Sequence, residues 1–152
     1  MQFETTVAID ADVQDVWAAL IDAQHWPEWT DSMQEVAWLD GGAPSVGSRA
    51  RVKQPGMPAL TWTVTGFEPG KRFDWRTSSV GVTTVGTHAV AAAGDGRSRL
   101  TLGLRQSGPL AGLIGMLTGA RTRRYVQMEA DGLKRAAESH RAATHTPATG
   151  AG

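Results

Sequence analysis

An antiparallel β-sheet followed by a long C-terminal helix, an α+β architecture, is what this sequence predicts. Three observations carry it. Between about residues 33 and 106, Gly41-Gly42, Pro55-Gly56, Pro69-Gly70 and Gly94-Asp95-Gly96 break the chain into short runs spaced like strands and tight turns. The run Leu60-Thr61-Trp62-Thr63-Val64-Thr65 alternates large apolar residues with threonine, the pattern of a strand with one dry face and one wet face. From near Pro109 the period becomes helical, and Leu113, Ile114, Leu117, Tyr125, Met128 and Leu133 can share one broad face.

The elements follow in order. Phe3, Thr5, Val7 and Ile9 face one way and their neighbours the other, so residues 2–9 form a half-buried strand. Asp10 or Asp12 can cap a helix whose apolar stripe is Val13, Val16, Trp17, Leu20 and Ile21, with Asp15 near its positive end. In His25-Trp26-Pro27-Glu28-Trp29 the proline suits the first turn of a second short helix, where its missing N–H costs nothing. Strands are expected near 33–39, 47–54, 59–68, 71–79, 82–92 and 98–106, joined by short turns as an antiparallel meander. The last helix is expected to run to about residue 139. Gly112, Gly115 and Gly119 weaken its first half by about 1 kcal/mol each relative to alanine. From His140 the sequence RAATHTPATGAG lacks apolar periodicity and reads as a disordered tail, which leaves residues 1–139 as a single domain.

Composition narrows the class. A length of 152 residues with 41% hydrophobic content suits one globular domain. There is no cysteine, so disulfides and thiolate metal sites are excluded and a reducing cytoplasm is the expected location. The N-terminus is not built like a signal peptide, and no run reaches the roughly 18 apolar residues of a bilayer span. Fifteen basic and fifteen acidic residues balance, which argues against a nucleic-acid binder. The charges are segregated: residues 1–48 hold nine acidic groups and no Lys or Arg. Mutual attraction between the two parts explains this most simply; a basic surface for an anionic ligand or lipid is the alternative.

The order strand, helix, short helix, six strands, long helix resembles the helix-grip superfamily. Its members include START domains, the birch-pollen-allergen fold and polyketide cyclase/dehydrase-like proteins (the SRPBCC group). The similarity spans residues 2–138. VAIDADVQDVWAALIDAQHWPEWTDSM looks like the family's first strand and two helices. VGSRARV with LTWTVTGFEPGKRFDWR looks like its next three strands, GTHAVAAAGDGRSRLTL like its penultimate hairpin, and YVQMEADGLKRAAE like the end of its last helix. The resemblance implies a curved sheet of about seven strands wrapped around the C-terminal helix, with a cavity between them. It implies a small hydrophobic or aromatic partner, lipid or polyketide-like, bound without a cofactor. Alternatives are a polyketide cyclase/dehydrase working by acid–base chemistry, and a lipid-transfer or partner-binding module.

Within that frame strand parity turns Leu60, Trp62 and Val64 inward, with Phe73, Trp75, Leu100, Leu102 and Leu104. Leu113, Leu117, Tyr125 and Met128 would complete the wall from the helix. His88 shares a face with Val82, Gly86 and Val90 and is the inward group suited to acid–base work near neutral pH. Tyr125 and Arg51 are further candidates for polarising a carbonyl; Arg49 and Arg51 are ambiguous by parity, while Arg72, Asp74 and Arg76 oppose Phe73 and Trp75 and should face solvent. Trp17, Trp26 and Trp38 are expected in the core. Histidines 25, 88, 140 and 145 lack metal-ligand spacing, and no dinucleotide or nucleophile motif is present. The apolar, glycine-rich segment 108–120, followed by Arg121, Arg123 and Arg124, either packs closely on the sheet or gates the cavity, with transient membrane contact a third reading. A monomer or a homodimer is compatible with all of this.

Overall fold

A computed structural model describes residues 1–144. Strand β1 (Gln2–Ile9) alternates half-buried and exposed positions as its sequence requires. Helix α1 (Val13–Ile21) starts because the Asp12 carboxylate accepts the Asp15 N–H at 2.9 Å, and its Val16 and Leu20 are fully buried. A 3-10 helix, Ala23–Glu28, follows. Pro27 lies near its end, not in its first turn as expected. The turn is held instead by His25 N–H to Asp22 O, and by the Trp29 and Thr30 N–H groups converging on Trp26 O. Trp26 is fully buried, and its indole N–H donates to Leu20 O at 3.2 Å.

The six expected strands are β2 (Glu35–Trp38), β3 (Arg49–Lys53), β4 (Leu60–Glu68), β5 (Arg72–Ser79), β6 (Val82–Gly94) and β7 (Arg97–Ser107). With β1 they make one antiparallel sheet in the order β1-β7-β6-β5-β4-β3-β2. Sequential strands pair as a meander, and β1 adds to β7, the strand farthest from it in sequence within the sheet. Pairing breaks register between Val64 and Gly66 and between Ala92 and Gly94. Such bulges sharpen the local bend and help the sheet curve.

Helix α2 (Ala111–Thr144) crosses the concave face over β1, β6 and β7 and packs against α1. Its buried stripe is Val126, Ala130, Leu133 and Ala137, at spacings of four, three and four. Gly132 permits close approach, because a Cβ there would lie 2.7 Å from Trp29 Cε3. Gly115 and Gly119 do the same for the N-terminus, each with Met1 atoms 3.2 Å from the place of a Cβ. Close packing is therefore what these two glycines provide.

The helix runs past residue 139, so residues 140–144 are helical and the expected tail boundary is too early. Tertiary contacts replace the missing apolar period: His140 Nδ1 sits 3.0 Å from Asp15 Oδ1, and Arg141 donates to Asp10 O at 2.9 Å. The rest of the expected tail, 145–152, lies outside the described residues. Ion pairs Asp10–Arg97, Glu35–Arg51 and Asp40–Arg49 join the acidic first third to the basic remainder, as simple attraction predicts. No helix among the described residues is long and apolar enough to cross a membrane. The fold is the helix-grip arrangement: seven strands curved about a long C-terminal helix, with two short helices after the first strand.

Candidate functional site

Between the curved sheet and the first half of α2 lies a cavity of about 350 Å³. Leu60, Trp62, Trp75, Leu102, Leu104 and Tyr125 line it, each on the face that its strand or helix position suggested. The tryptophans form one aromatic wall: Trp62 and Trp75 centroids are 5.3 Å apart, and Trp75 meets the buried Trp26 edge-on at 5.4 Å. Gly86 makes room for this wall. It pairs with Trp75 across β5 and β6, and a Cβ on it would lie 2.8 Å from Trp75 Nε1.

His88 lies on β6 opposite Phe73 on β5 and Leu102 on β7, which places its ring in the cavity wall at 3% exposure. The Phe73 ring stacks on it at 4.1 Å and 13°. Its Nδ1 is 3.2 Å from Phe73 O, and its Nε2 is 3.3 Å from Glu129 Oε1. A carbonyl oxygen only accepts, so Nδ1 carries hydrogen and donates. One further proton must then serve the Nε2–Glu129 contact, carried either by an imidazolium facing a carboxylate or by a carboxylic acid facing a neutral imidazole. The arrangement is an oriented acid–base pair on the wall of an apolar chamber.

Glu129 is the charged residue of the cavity wall that the sequence does not single out. By strand parity the sequence points to His88 as the inward group suited to acid–base work, and the apolar face read for the last helix does not include Glu129. Glu129 is in fact 9% exposed and lines the cavity. The available signal was its spacing, three after Val126 and four before Leu133 on the buried stripe. Arg121, which follows the glycine-rich segment, also borders the cavity, with its guanidinium over Gly56.

Other expected site residues stand elsewhere. Val64 and Phe73 face inward but lie one layer deeper, in the core; Phe73 is covered by His88, and Leu100 is fully buried away from the cavity. Leu113 and Leu117 point outward, 53% and 72% exposed, because the Val126–Ala137 stripe sets the rotation of α2 and turns Ile114 and Thr118 inward instead. Met128 borders a separate shallow depression with Trp29 and Asp131. Arg51 is on the outer face of β3, 3.5 Å from Glu35, and Arg49 pairs with Asp40. Alternation settles both, since Ala50 and Val52 are the buried residues of that strand. Arg51 is therefore removed as a catalytic candidate. The Arg49 guanidinium, through its hydrogen bonds, holds the Asp40 carboxyl below the usual carboxylate range. Tyr125 lines the cavity, but its hydroxyl donates to Pro55 O at 3.0 Å, so its proton holds the β3–β4 loop in place of a ligand.

That loop closes one side of the chamber through Gln54, Gly56, Met57 and Pro58. Lys53 Nζ donates to Gln54 O at 2.9 Å and to Met57 O, which stiffens it. Gln106, also in the wall, has a buried Oε1 without a hydrogen-bond partner among the described residues. No three metal-capable side chains converge among the described residues.

The comparisons with known proteins bear on the fold and the family. No protein of curated function matches the chain. The Zhui aromatase/cyclase from a Streptomyces species has a similar structure, with a TM-score of 0.78 and 19% identity over 95% of this chain and 98% of that one. The di-domain ARO/CYC BexL is similar over 91% of this chain and 46% of its own, with a TM-score of 0.69 and 17% identity. A START superfamily protein from Mycobacterium smegmatis matches with a TM-score of 0.65 and 14% identity over 91% of this chain and 95% of that one. These likenesses establish the fold. The family described as polyketide cyclase/dehydrase and lipid transport matches residues 1–138. The chain belongs to the polyketide cyclase/dehydrase and lipid transport family, and it has the START-like fold.

Proposed function

We propose that this protein binds a small, ring-bearing, mostly apolar molecule in the cavity, with an oxygen of that molecule directed at the His88–Glu129 pair. One observation carries the reading: an apolar chamber of about 350 Å³, walled by Trp62 and Trp75, with a buried titratable pair in its side. The volume lies at the small end of the usual range for ligand sites, roughly 300–1,000 Å³. Indole faces suit a flat ring, and Gln106 Oε1 offers an acceptor to a ligand hydroxyl. Burying ~300 Å² of ligand at ~25 cal/mol/Å² gives roughly 7 kcal/mol before association costs, so burial alone supports affinity no tighter than about micromolar. The absence of cysteine fits work in a reducing cytoplasm.

The test is tryptophan fluorescence with a panel of polyketide-like phenols and fatty acids, with native mass spectrometry of whatever stays bound. Trp62→Ala should weaken binding at least tenfold. A wild-type signal indifferent to the whole panel, with nothing retained in native spectra, refutes the reading.

A second reading is favoured by the His88–Glu129 geometry. A pair that holds one transferable proton beside the ligand can enolise a carbonyl or protonate a leaving hydroxyl, the steps of a cyclase or dehydrase. Here the Glu129 carboxyl, which borders the cavity and has its second oxygen free of His88, exchanges the proton with the ligand, and His88, with both ring nitrogens engaged, orients and balances it. If His88→Gln and Glu129→Gln both keep turnover of a candidate polyketide, the protein is a binder and the catalytic role is wrong.

A further inference from the structure

The outward face of the first half of α2 is the largest concentration of exposed apolar side chains among the described residues. Leu113, Met116 and Leu117 are 53%, 81% and 72% exposed. Leu110 (39%) and Val80 (80%) adjoin them, since Leu110 donates to Gly81 O at 3.2 Å and its side chain rests against Gly81. Leu39 and Val46, the remaining exposed large hydrophobics, stand at the end of β2 and in the loop after it. The face is ordered by charge as well. At 3.6 residues per turn, Leu113, Leu117, Ala120 and Arg124 fall in one row, with Arg121 and Arg123 flanking it. Residues 108–128 contain Arg121, Arg123 and Arg124 and no Asp or Glu. None of these three arginines makes an ion pair among the described residues. The surface is therefore an apolar tip with a basic collar, ~16 Å from Leu113 to Arg124 along the helix. It is also continuous with the cavity mouth, because Val80, Ile114, Thr118 and Arg121 line the chamber.

We propose that this face docks on an anionic lipid bilayer and brings the cavity mouth to it, so that an apolar ligand passes between bilayer and chamber without crossing water. The proposal rests on the ligand-binding reading above. The chemistry of the patch selects this occupant. Aliphatic side chains on one helix face insert into the boundary between headgroups and chains, and arginines two turns further along reach the phosphates. A second copy of the chain would oppose arginines to arginines across a two-fold axis, with no carboxylate in the patch to relieve them. A protein partner would find no aromatic anchor here.

The test is flotation of the full-length protein with phosphatidylcholine vesicles, with or without phosphatidylglycerol at roughly a third of the lipid. Anionic vesicles should bind at least about tenfold more tightly than neutral ones, and binding should weaken as salt rises. Met116→Asp with Leu117→Asp should lower it by at least about tenfold; both positions are exposed, so the fold does not depend on them. Val46→Asp, 63% exposed elsewhere, should leave it unchanged. Three results overturn the proposal: no flotation at low salt, full flotation of the Met116→Asp/Leu117→Asp protein, or a stable dimer that this double substitution dissociates. Tryptophan quenching by water-soluble ligands separates the two readings. Quenching without flotation sinks the docking proposal alone, whereas flotation without quenching supports docking and sinks the cavity reading.

Discussion

Replacing Glu129 with leucine tests whether the buried pair is a real electrostatic unit. Leucine keeps most of the volume and removes both carboxylate oxygens, so His88 Nε2 loses the partner 3.3 Å away. A neutral buried polar atom left unpaired costs about 1–3 kcal/mol, and an orphaned buried charge about 3–5 kcal/mol. The Glu129 side chain keeps 12% of its exposure and borders the cavity, so water can relieve part of the loss. The expected destabilisation is therefore near the low end, about 2 kcal/mol. For a chain of this size that lowers Tm by about 4–8 °C. Urea denaturation of the wild type, Glu129→Leu, His88→Phe and the double variant closes the cycle. Removing both partners leaves an apolar contact and should recover at least about 1 kcal/mol relative to the sum of the single losses. If Glu129→Leu lies within about 0.5 kcal/mol of wild type, or the two losses simply add, the pair is not coupled and the argument for the site fails.

Three other outcomes are expected. Gly86→Ala places a Cβ 2.8 Å from Trp75 Nε1, so the indole must shift; a loss of about 1–3 kcal/mol on urea denaturation, with changed tryptophan emission, is the check. Tyr125→Phe removes the hydrogen bond to Pro55 O, costs about 1 kcal/mol, and should speed ligand association and dissociation in stopped-flow quenching, because the β3–β4 loop loses its tie to α2. For Glu138, burial alone would raise the carboxyl pKa, but the hydrogen bonds from Lys134 and Asp10 N–H win and lower it below the ordinary 4.5. Its stabilising contribution is thus present at neutral pH and lost as pH falls below 4.5 through the lower folded value. Glu138→Gln should be less stable than wild type at neutral pH and approach it in acid, measured by thermal melts across that range.

The strands and the order of elements were legible because they follow from local chemistry. Alternation in Leu60–Thr65 and turn signals such as Pro69-Gly70 act over a few residues, and β4 and β5 form where those signals put them. His88 was found for the same reason, since strand parity decides which face a residue takes. Helix rotation was not legible. The sequence of α2 offers several overlapping apolar faces, and its phase is set by where Val126, Ala130 and Leu133 meet the sheet. That contact turned Leu113 and Leu117 outward and carried Glu129 in to His88.

Arg51 shows the same limit on a strand. Its side could be known only once Ala50 and Val52 were seen to pack inward. The end of α2 shows it again, because His140 and Arg141 are held by Asp15 and Asp10 from the other end of the chain. By itself, then, the sequence determined the strands, the helices and the aromatic strand faces, all of which depend on short-range periodicity, while the wrapping of the sheet around the last helix was implied by the family resemblance. The tertiary structure alone decided the pairing of His88 with Glu129, the tie between Tyr125 and Pro55, and the apolar face left bare at the cavity mouth. Each of these depends on how one long helix is rotated against a curved sheet, and no local pattern encodes that rotation.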